Sequence, residues 1–529
     1  MFFLIVAKQR EGRAGRLQKG NVFRFYSRDR YNRMLENTTP ELVRTELTEI
    51  CLQTKLLEKE IPIEEYLMQA ITPPQKPAIQ RSINMLKSLG ALDDDENLTA
   101  LGFHLADIPI DAKFSKMLIY GIVFKCIDPI LTLVSCLSIQ DPFMIVHGTA
   151  DRLKYQKLKH SLSEKSFSDH LVLLRIFQRW NNSKTENSDD RYFCEENFIN
   201  IGTMERINRT RSKIIGHLRS LGIVKSNGNL TLMNIHSTKW SVIKLCLAAG
   251  LYPSIAKVDK KSGNIYSELD KKLVVHVTSS LFEVERNKMY PTEWVIFEEK
   301  FKIGKTSLIK CCTMITSLTV AFTAGNKLIV ADINGDENNS ILQVDNWIKL
   351  TTTPNNVSLI CEMRRLVDDL MEKYLKDVRE YKFTDQDGYL IDAIANMIQL
   401  EDESNCFPCS HSGIGARPRA ITLKCSDYDE LNNYQAEQHY VYQQSHNNHE
   451  NYFQQSDRHY GPPLDNQSKK VQEVPVMNSK RFIMVKVSAA LFKNIFGDRN
   501  VADLCEFNFP SSFYDQFLCF ESVNMLLFF

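Results

Sequence analysis

The sequence predicts a multidomain, mainly α-helical protein that carries one small β-barrel. Three observations predict it. The chain has 529 residues, enough for several separate cores. Apolar residues recur at helical spacing through residues 39–222. Beyond residue 250 the period drops to two, in short β-rich runs parted by glycine or polar turns. With 43% hydrophobic and 24% charged residues, a wholly disordered chain is excluded. Lys plus Arg number 65 against 64 Asp plus Glu, so a nucleic-acid role must rest on local basic clusters. Thirteen scattered cysteines read as reduced thiols in an intracellular, cytoplasmic protein. No apolar run reaches about 18 residues, so no membrane partner is expected.

Each element has its own local cause. Met1–Ala7 is apolar and reads as a buried strand, with the chain beginning inside a domain. Residues 8–33 hold nine basic residues against Glu11 and Asp29. Within them Asn21–Tyr26 alternates like a strand. Thr39-Pro40-Glu41 supplies a cap hydroxyl, a first-position proline and an acid at the positive end of a helix dipole. That helix would bury Val43, Leu47, Ile50 and Cys51. A second carries Ile79, Ile83 and Leu86 and stops at Gly90. With the acidic turn Asp93–Glu96 and a short hairpin, these make a winged-helix module. Asp128-Pro129 opens a helix in an almost wholly apolar stretch. Ser168-Asp169 caps another, with Leu171, Leu174, Phe177 and Trp180 on one side. A third has Ile201, Met204, Ile207, Ile214, Leu218 and Leu221 as its core. The runs Ile255–Val258, Leu273–Val277, Trp294–Phe297, Leu308–Cys312, Leu318–Phe322 and Leu328–Val330 read as strands of a barrel of the OB type. Residues 357–375 and 388–400 return to helix. Residues 429–468 are rich in Asn, Gln, Tyr and His and read as disordered. The aromatic-rich end, 509–529, reads as a terminal helix or as an artefact of gene prediction.

One octapeptide carries most of the chemistry. Gln9-Arg10-Glu11-Gly12-Arg13-Ala14-Gly15-Arg16 uses two glycines to turn tightly and presents arginines at fixed spacing. Guanidinium stays charged and grips phosphate with a fork of donors. An arginine that reaches a γ-phosphate can be worth about 10³-fold in rate. The string resembles the last conserved motif of DEAH-type RNA helicases, QRxGRAGR. Downstream segments keep that family's order: Phe23–Tyr26, Thr39–Arg44, Leu47–Leu57, Leu98–Gly102, Asp128–Leu131, Asp141–Phe143, Ser168–Leu171 and Ala249–Pro253. The resemblance covers residues 8 to about 425. It stands nearest the group of the YTH-domain-containing RNA helicase and the benign gonial cell neoplasm protein. Trp294 with its flanks, Asp345-Asn346-Trp347 and Ser412–Pro418 carry that closer match.

The resemblance implies a domain plan. Residues 1–38 end a second RecA-like helicase domain, 39–110 form a winged helix, and 111–222 a helical ratchet-like bundle. Residues 223–345 form the OB-fold, 346–428 a C-terminal helical extension, and 429–480 a disordered linker. Residues 481–529 are a truncated or degenerate tail. There Arg481–Met484 resembles the opening strand of a methyladenine-reading YTH module, but no tryptophan comes after Trp347 to build its cage. By resemblance Gln9, Arg13 and Arg16 face the phosphates of ATP, with Arg13 and Arg16 as the finger-like pair. Arg175, Arg179, Arg206, Arg209 and Arg211 on the ratchet helices, with Lys302, Lys305 and Lys310 on a barrel hairpin, line the path of single-stranded RNA. Phosphate contacts of this kind give affinity with little sequence choice.

The rest of a nucleotide site is not in the sequence. A phosphate cradle needs G-x-x-x-x-G-K-[ST]. Gly304-Lys305-Thr306 has Glu299 where the first glycine belongs, and no DEAH tetrapeptide occurs. ATP and Mg²⁺ are therefore expected only with an upstream half, and this chain alone is not expected to hydrolyse ATP. Three readings stay open. The chain is part of an ATP-dependent 3′-to-5′ RNA helicase in post-transcriptional regulation of mRNA. Or it is a non-catalytic RNA-binding adaptor in translational repression, resembling the insect germline regulator. Or it is a protein-interaction scaffold. The expected partners are single-stranded RNA or mRNA and proteins of a translational-control complex, not DNA. Cys406, Cys409, His411 and Cys425 have zinc-capable side chains, but one CxxC beside a disordered stretch reads as free thiols, and no metal site is expected. His170 has no nucleophile beside it and reads as a helix-start contact rather than a catalytic base.

Overall fold

The computed structural model describes residues 3–407 except 15, 38, 164–165, 186–189, 225–230, 326–327, 333–339, 346 and 406, together with 482–488 and 522–528. The chain divides into two compact units, Met1–Ala106 and Asp107–Phe529.

The first unit is helical. It holds α1 (Leu4–Glu11), α2 (Arg28–Asn32), α3 (Glu41–Arg44), α4 (Thr48–Leu57), α5 (Ile63–Leu67), α6 (Lys76–Ser88) and the start of α7 (Ala100–Asp107). Cys51, Leu52, Ile63, Ile79, Ile83 and Leu86 form its core. Gly90 takes φ +75° where α6 ends, as a left-handed C-terminal cap requires. The chain then folds back so that Leu92 bridges Leu98. A Cβ on Gly102 would stand 2.1 Å from the Ala91 carbonyl oxygen, so only glycine lets α7 pass this close.

Three expectations fail in this unit. Within Met1–Ala7 the described residues form no buried strand: Leu4 onward is helical and α1 buries no residue. Asn21–Tyr26 forms no strand, and Phe25 is 99% exposed. A strand needs a neighbour to take up its backbone groups, and none of the described residues there offers one. The helix expected from Thr39 is broken at Thr45–Leu47, with Pro40 as its cap residue and Val43 exposed.

The second unit opens with the helices α8 (Ala112–Val123), α9 (Ile127–Leu137), α10 (Thr149–Ser163), α11 (Asp169–Thr185), α12 (Asp190–Glu196) and α13 (Ile201–Ser220). Nearly every residue of α8 and α9 is buried, which explains their apolar, unpatterned sequences. Leu171, Leu174, Phe177 and Trp180 are buried as the spacing predicts. After α14 (Trp240–Leu251) the chain forms β1 (Ile255–Val258), β2 (Ile265–Tyr266), β3 (Leu273–Val275), the short α15 (Phe282–Asn287), β4 (Trp294–Ile303) and β5 (Thr306–Ile315). These five strands close into a barrel of order β1-β2-β3-β5-β4. Gly304 takes φ +59° in the two-residue turn between Ile303 and Thr306, where a II′ hairpin places glycine. Gly304-Lys305-Thr306 is thus a hairpin turn and not a phosphate loop.

Leu318–Phe322 is not a strand but lies within α16 (Ser317–Thr323). It is buried on all sides, so its sequence carries no period to separate helix from strand. A long-range contact decides: the Glu401 carboxyl accepts the Leu318 N–H at 3.0 Å and so caps the helix start. Leu328–Val330 is a strand but not of the barrel. It lies in β6 (Leu328–Asp332), which forms a separate antiparallel sheet with β7 (Ser340–Val344) and β8 (Ile348–Thr352). The helices α17 (Pro354–Lys376) and α18 (Asp385–Ser404) come next, as expected. Far along the chain β9 (Phe482–Ser488) pairs antiparallel with β10 (Ser522–Phe528), so that part of the expected terminal helix is a strand, while 509–521 lie outside the described residues. The stretch 429–468 and the possible zinc ligands Cys406, Cys409, His411 and Cys425 lie outside the described residues.

Candidate nucleic-acid interface

The second unit joins its helices to its barrel through buried polar contacts. Ser168 caps α11 by accepting the Leu171 N–H, and its hydroxyl also meets Thr313 at 2.6 Å. The Asp169 carboxylate accepts the N–H groups of Ser280 at 2.7 Å and Cys312 at 2.9 Å, together with the Ser279 hydroxyl. His170 is buried with Nδ1 2.8 Å from the Thr313 hydroxyl. Burial pushes its pKa down to about 4, so it is neutral and structural. The Ser168-Asp169-His170 string is therefore the bolt between α11 and β5. The Ser168 hydroxyl, the Asp169 carboxylate and the His170 Nδ1 are all engaged within the fold, and the buried His170 Nε2 has no partner among the described residues, which suits a fixed joint.

This joint fixes a surface beside it. Thr149–His160 carries Arg152, Lys154, Lys157 and Lys159 against the single acid Asp151. On α10, Arg152, Lys154, Lys157 and His160 face water. Lys159 points the other way: its ammonium donates to the Thr278 carbonyl on the barrel at 2.6 Å and lies over the Phe143 and Tyr155 rings, 5.1 and 5.2 Å away. Burial alone would lower the pKa of Lys159, but Asp169, Tyr155 and Asp141 outweigh it and hold the pKa above the ordinary value. The loop after α9 packs on the same rings. Phe143 meets Tyr155 edge-on at 5.7 Å, and the Met144 N–H donates to the Phe198 carbonyl. Met144, Ile145 and His147 are left in water. Across the joint, Lys310 lies 3.7 Å from Asp141 and 3.8 Å from Glu299. Lys302 and Lys305 extend the positive surface to the tip of the hairpin. A basic helix face, exposed apolar side chains and a basic barrel hairpin thus sit on one braced unit. Amines and backbone donors hold phosphates, while apolar groups take bases.

The residues expected to meet RNA divide into three groups. Lys302, Lys305 and Lys310 lie on this surface. Arg179, Arg206 and Arg209 are exposed on α11 and α13. Arg206 donates to the Thr203 hydroxyl, and Arg209 to the Glu205 carbonyl, each on its own helix. Arg206 and Arg209 lie on α13, which packs mainly on α9 and α12, whereas Arg179 lies on α11, the helix that meets β5. Arg175 and Arg211 are corrections, because both are buried. Arg175 donates to the Leu162 carbonyl at 2.6 Å and ties the end of α10 to α11. Arg211 pairs with Asp128 at the start of α9. Both guanidiniums are committed inside the fold, where RNA cannot reach them. Sequence reasoning misses the basic run on α10, although its charge count is visible along the chain.

The octapeptide lies in the first unit. Gln9 sits on α1, Arg13 in the turn after it, and Arg16 beyond, all exposed. The Arg16 Nε donates back to the Gly12 carbonyl at 3.2 Å. Glu11 pairs with Arg24 at 2.7 Å, and Arg24 lies over the Tyr31 ring. No group of three or more His, Cys, Asp or Glu side chains among the described residues could hold a metal ion, and no described helix is long and apolar enough to cross a membrane.

Three family descriptions match in succession. The winged-helix helicase associated domain (HA2) matches residues 82–110, and the ratchet-like helicase associated domain (HA2) matches 111–173. The oligonucleotide/oligosaccharide-binding (OB)-fold matches 243–327, which contains the closed barrel. The chain has the architecture of the C-terminal half of a DEAH-type helicase. Among curated relatives, the ATP-dependent DNA/RNA helicase DHX36 of Bos taurus is 30% identical over 409 residues, 75% of this chain and 39% of the relative. The protein benign gonial cell neoplasm of Drosophila melanogaster is 29% identical over 418 residues, 73% of this chain and 34% of the relative. The ATP-dependent RNA helicase DHX29 of Homo sapiens is 27% identical over 413 residues, 75% of this chain and 29% of the relative. This helicase half thus spans about two fifths of the length of the DHX36 relatives. The expectation that DNA is no partner gains no support, since those relatives are DNA/RNA helicases by name.

Proposed function

We propose that this chain is the single-strand-binding C-terminal portion of an ATP-dependent DEAH-type RNA helicase, working 3′-to-5′ on mRNA. The observation that carries the reading is the basic outer face of α10, held against the barrel by the Lys159–Thr278 and Asp169–Ser280 contacts to its β3–α15 loop. In the whole protein, Gln9, Arg13 and Arg16 would meet the phosphates of ATP with Mg²⁺ held by an upstream half. That part, and a cytoplasmic setting in post-transcriptional control, rest on the family resemblance. A non-catalytic RNA-binding adaptor would use the same surface. The two separate on one measurement: RNA-stimulated ATP hydrolysis by the longest transcript product that contains this chain.

The binding claim is tested by fluorescence anisotropy. A uridine oligomer of about 12 nucleotides should bind this chain, with a log–log salt slope near −0.7 for each phosphate neutralised. Lys157→Glu with Lys302→Glu and Lys305→Glu should weaken every sequence alike, by about tenfold or more at low salt. A deoxyuridine oligomer measures the preference for RNA over DNA. Unchanged affinity in the triple variant would remove the proposed surface.

A further inference from the structure

The loop between β3 and α15 is held from three sides. The His276 N–H donates to the Ile309 carbonyl at 2.9 Å. Lys159 of α10 grips the Thr278 carbonyl at 2.6 Å. Asp169 of α11 accepts the Ser280 N–H at 2.7 Å. On this pinned loop the Ser280 hydroxyl is buried without a partner, and the His276 ring stands at the surface. The His276 ring is half-exposed, its Nδ1 receives the Thr278 N–H at 3.3 Å, and the same nitrogen lies 2.8 Å from the Thr278 hydroxyl. A nitrogen that accepts an N–H carries no proton, so the ring proton belongs on Nε2. Among the described residues, Nε2 has no hydrogen-bond partner. Two lysines stand near it, and Lys310 is itself 3.7 Å from Asp141 and 3.8 Å from Glu299. The charges of Lys310 and Lys159 act on the ring, with Glu299 opposing them, and Phe301 lies 5.5 Å away. Partial burial and the two lysines hold the His276 pKa below the ordinary imidazole value, so the ring is neutral at physiological pH.

We propose that His276, through Nε2–H, is a neutral hydrogen-bond donor to a backbone phosphate of a single strand lying across the joint between α10 and the barrel. The inference rests on the single-strand-binding reading above and adds a residue to that site. Lys310 contributes charge, His276 contributes direction, and Thr278 fixes which ring nitrogen bears the proton. Lys159 is a positioning residue, because it holds Thr278.

The experiment is anisotropy with the uridine oligomer and the full chain, comparing wild type, His276→Ala, His276→Gln and Lys310→Ala. His276→Ala should bind about fivefold more weakly with an unchanged salt slope, as expected for the loss of one uncharged donor. Lys310→Ala should lower the slope by about 0.7. His276→Gln, whose amide can donate, should recover most of the loss. The deficit of His276→Ala should stay constant between about pH 7 and about pH 8.5, since the donor is already neutral there. Wild-type affinity for His276→Ala, a slope reduced as in Lys310→Ala, or a deficit that vanishes as pH rises would each overturn the proposal while leaving the interface standing. No binding by wild type would remove the interface and this residue together. If His276→Ala melts early, His276→Gln and the wild-type pH series decide. A wild-type affinity that climbs about tenfold as pH falls from about 8 to about 6, with no such climb in His276→Gln, would mark His276 as a cation and refute the neutral donor.

Discussion

Arg211→Ala separates a structural arginine from a nucleic-acid contact. The Arg211 and Asp128 side chains are 4% and 8% exposed, and they pair between α13 and the start of α9. Burial raises the Asp128 pKa and the Arg211 charge opposes that rise. Removing the guanidinium leaves a carboxyl with no counter-charge in the core, a loss of about 4 kcal/mol near neutral pH. Protonation of Asp128 relieves part of it. A carboxyl whose folded pKa lies above its unfolded value favours the fold at acid pH and loses that favour as pH rises. The deficit of Arg211→Ala should therefore be smaller at about pH 5 than at about pH 8. Urea denaturation followed by tryptophan fluorescence reads it, since Trp180 lies in the core of the same helices. Arg209→Ala, exposed on the same helix, should stay within about 0.5 kcal/mol of wild type. Replacing both partners, Arg211→Met with Asp128→Asn, should recover most of the loss. The reasoning is refuted if Arg211→Ala keeps wild-type stability yet binds RNA more weakly with a salt slope reduced by about 0.7.

Two other substitutions test the joints. Asp169→Ala leaves the Ser280 and Cys312 N–H groups without their acceptor and should cost about 3–5 kcal/mol by urea denaturation. It should also weaken oligonucleotide binding, because the loop that carries His276 loses one of its three anchors. Glu401→Gln tests the cap on α16. Burial pushes the Glu401 carboxyl up to about 8, so the fold favours its protonated form. That contribution is full below the unfolded value of about 4.3 and is lost as pH rises towards the folded value. Wild type should therefore lose stability between about pH 5 and about pH 8, and Glu401→Gln should flatten that decline. A parallel decline in both proteins, measured by urea denaturation across the pH series, would count against the cap.

Legibility tracks periodicity. Ile79, Ile83 and Leu86, or Leu171, Leu174 and Phe177, repeat at helical spacing because one face of each helix is buried. Strands β4 and β5 are longer than their apolar runs, yet stand where those runs place them. Wholly buried segments are harder. Leu318–Phe322 has no polar face, so its helix is decided by Glu401, 83 residues further along. The basic residues divide in the same way. Nothing local separates Arg175 or Arg211 from Arg209, since burial of a guanidinium depends on a carbonyl or carboxylate brought from another helix. His276 carries no signal of its own in a β-rich run, because its meaning lies in Thr278, Lys159 and Lys310 meeting around it.

What the sequence determined by itself is the order of modules: an arginine-rich motif, a winged helix, a helical bundle and a barrel, each marked by local periods, caps and turns. What only the tertiary structure decided is which charges remain available. A charge is either spent inside the fold or left facing water, and the outcome depends on partners far away in the chain. Lys159 and Asp169 are used to bolt helices to barrel, while Lys157, Lys302 and Lys305 stay outside, and no count along the sequence distinguishes the two fates.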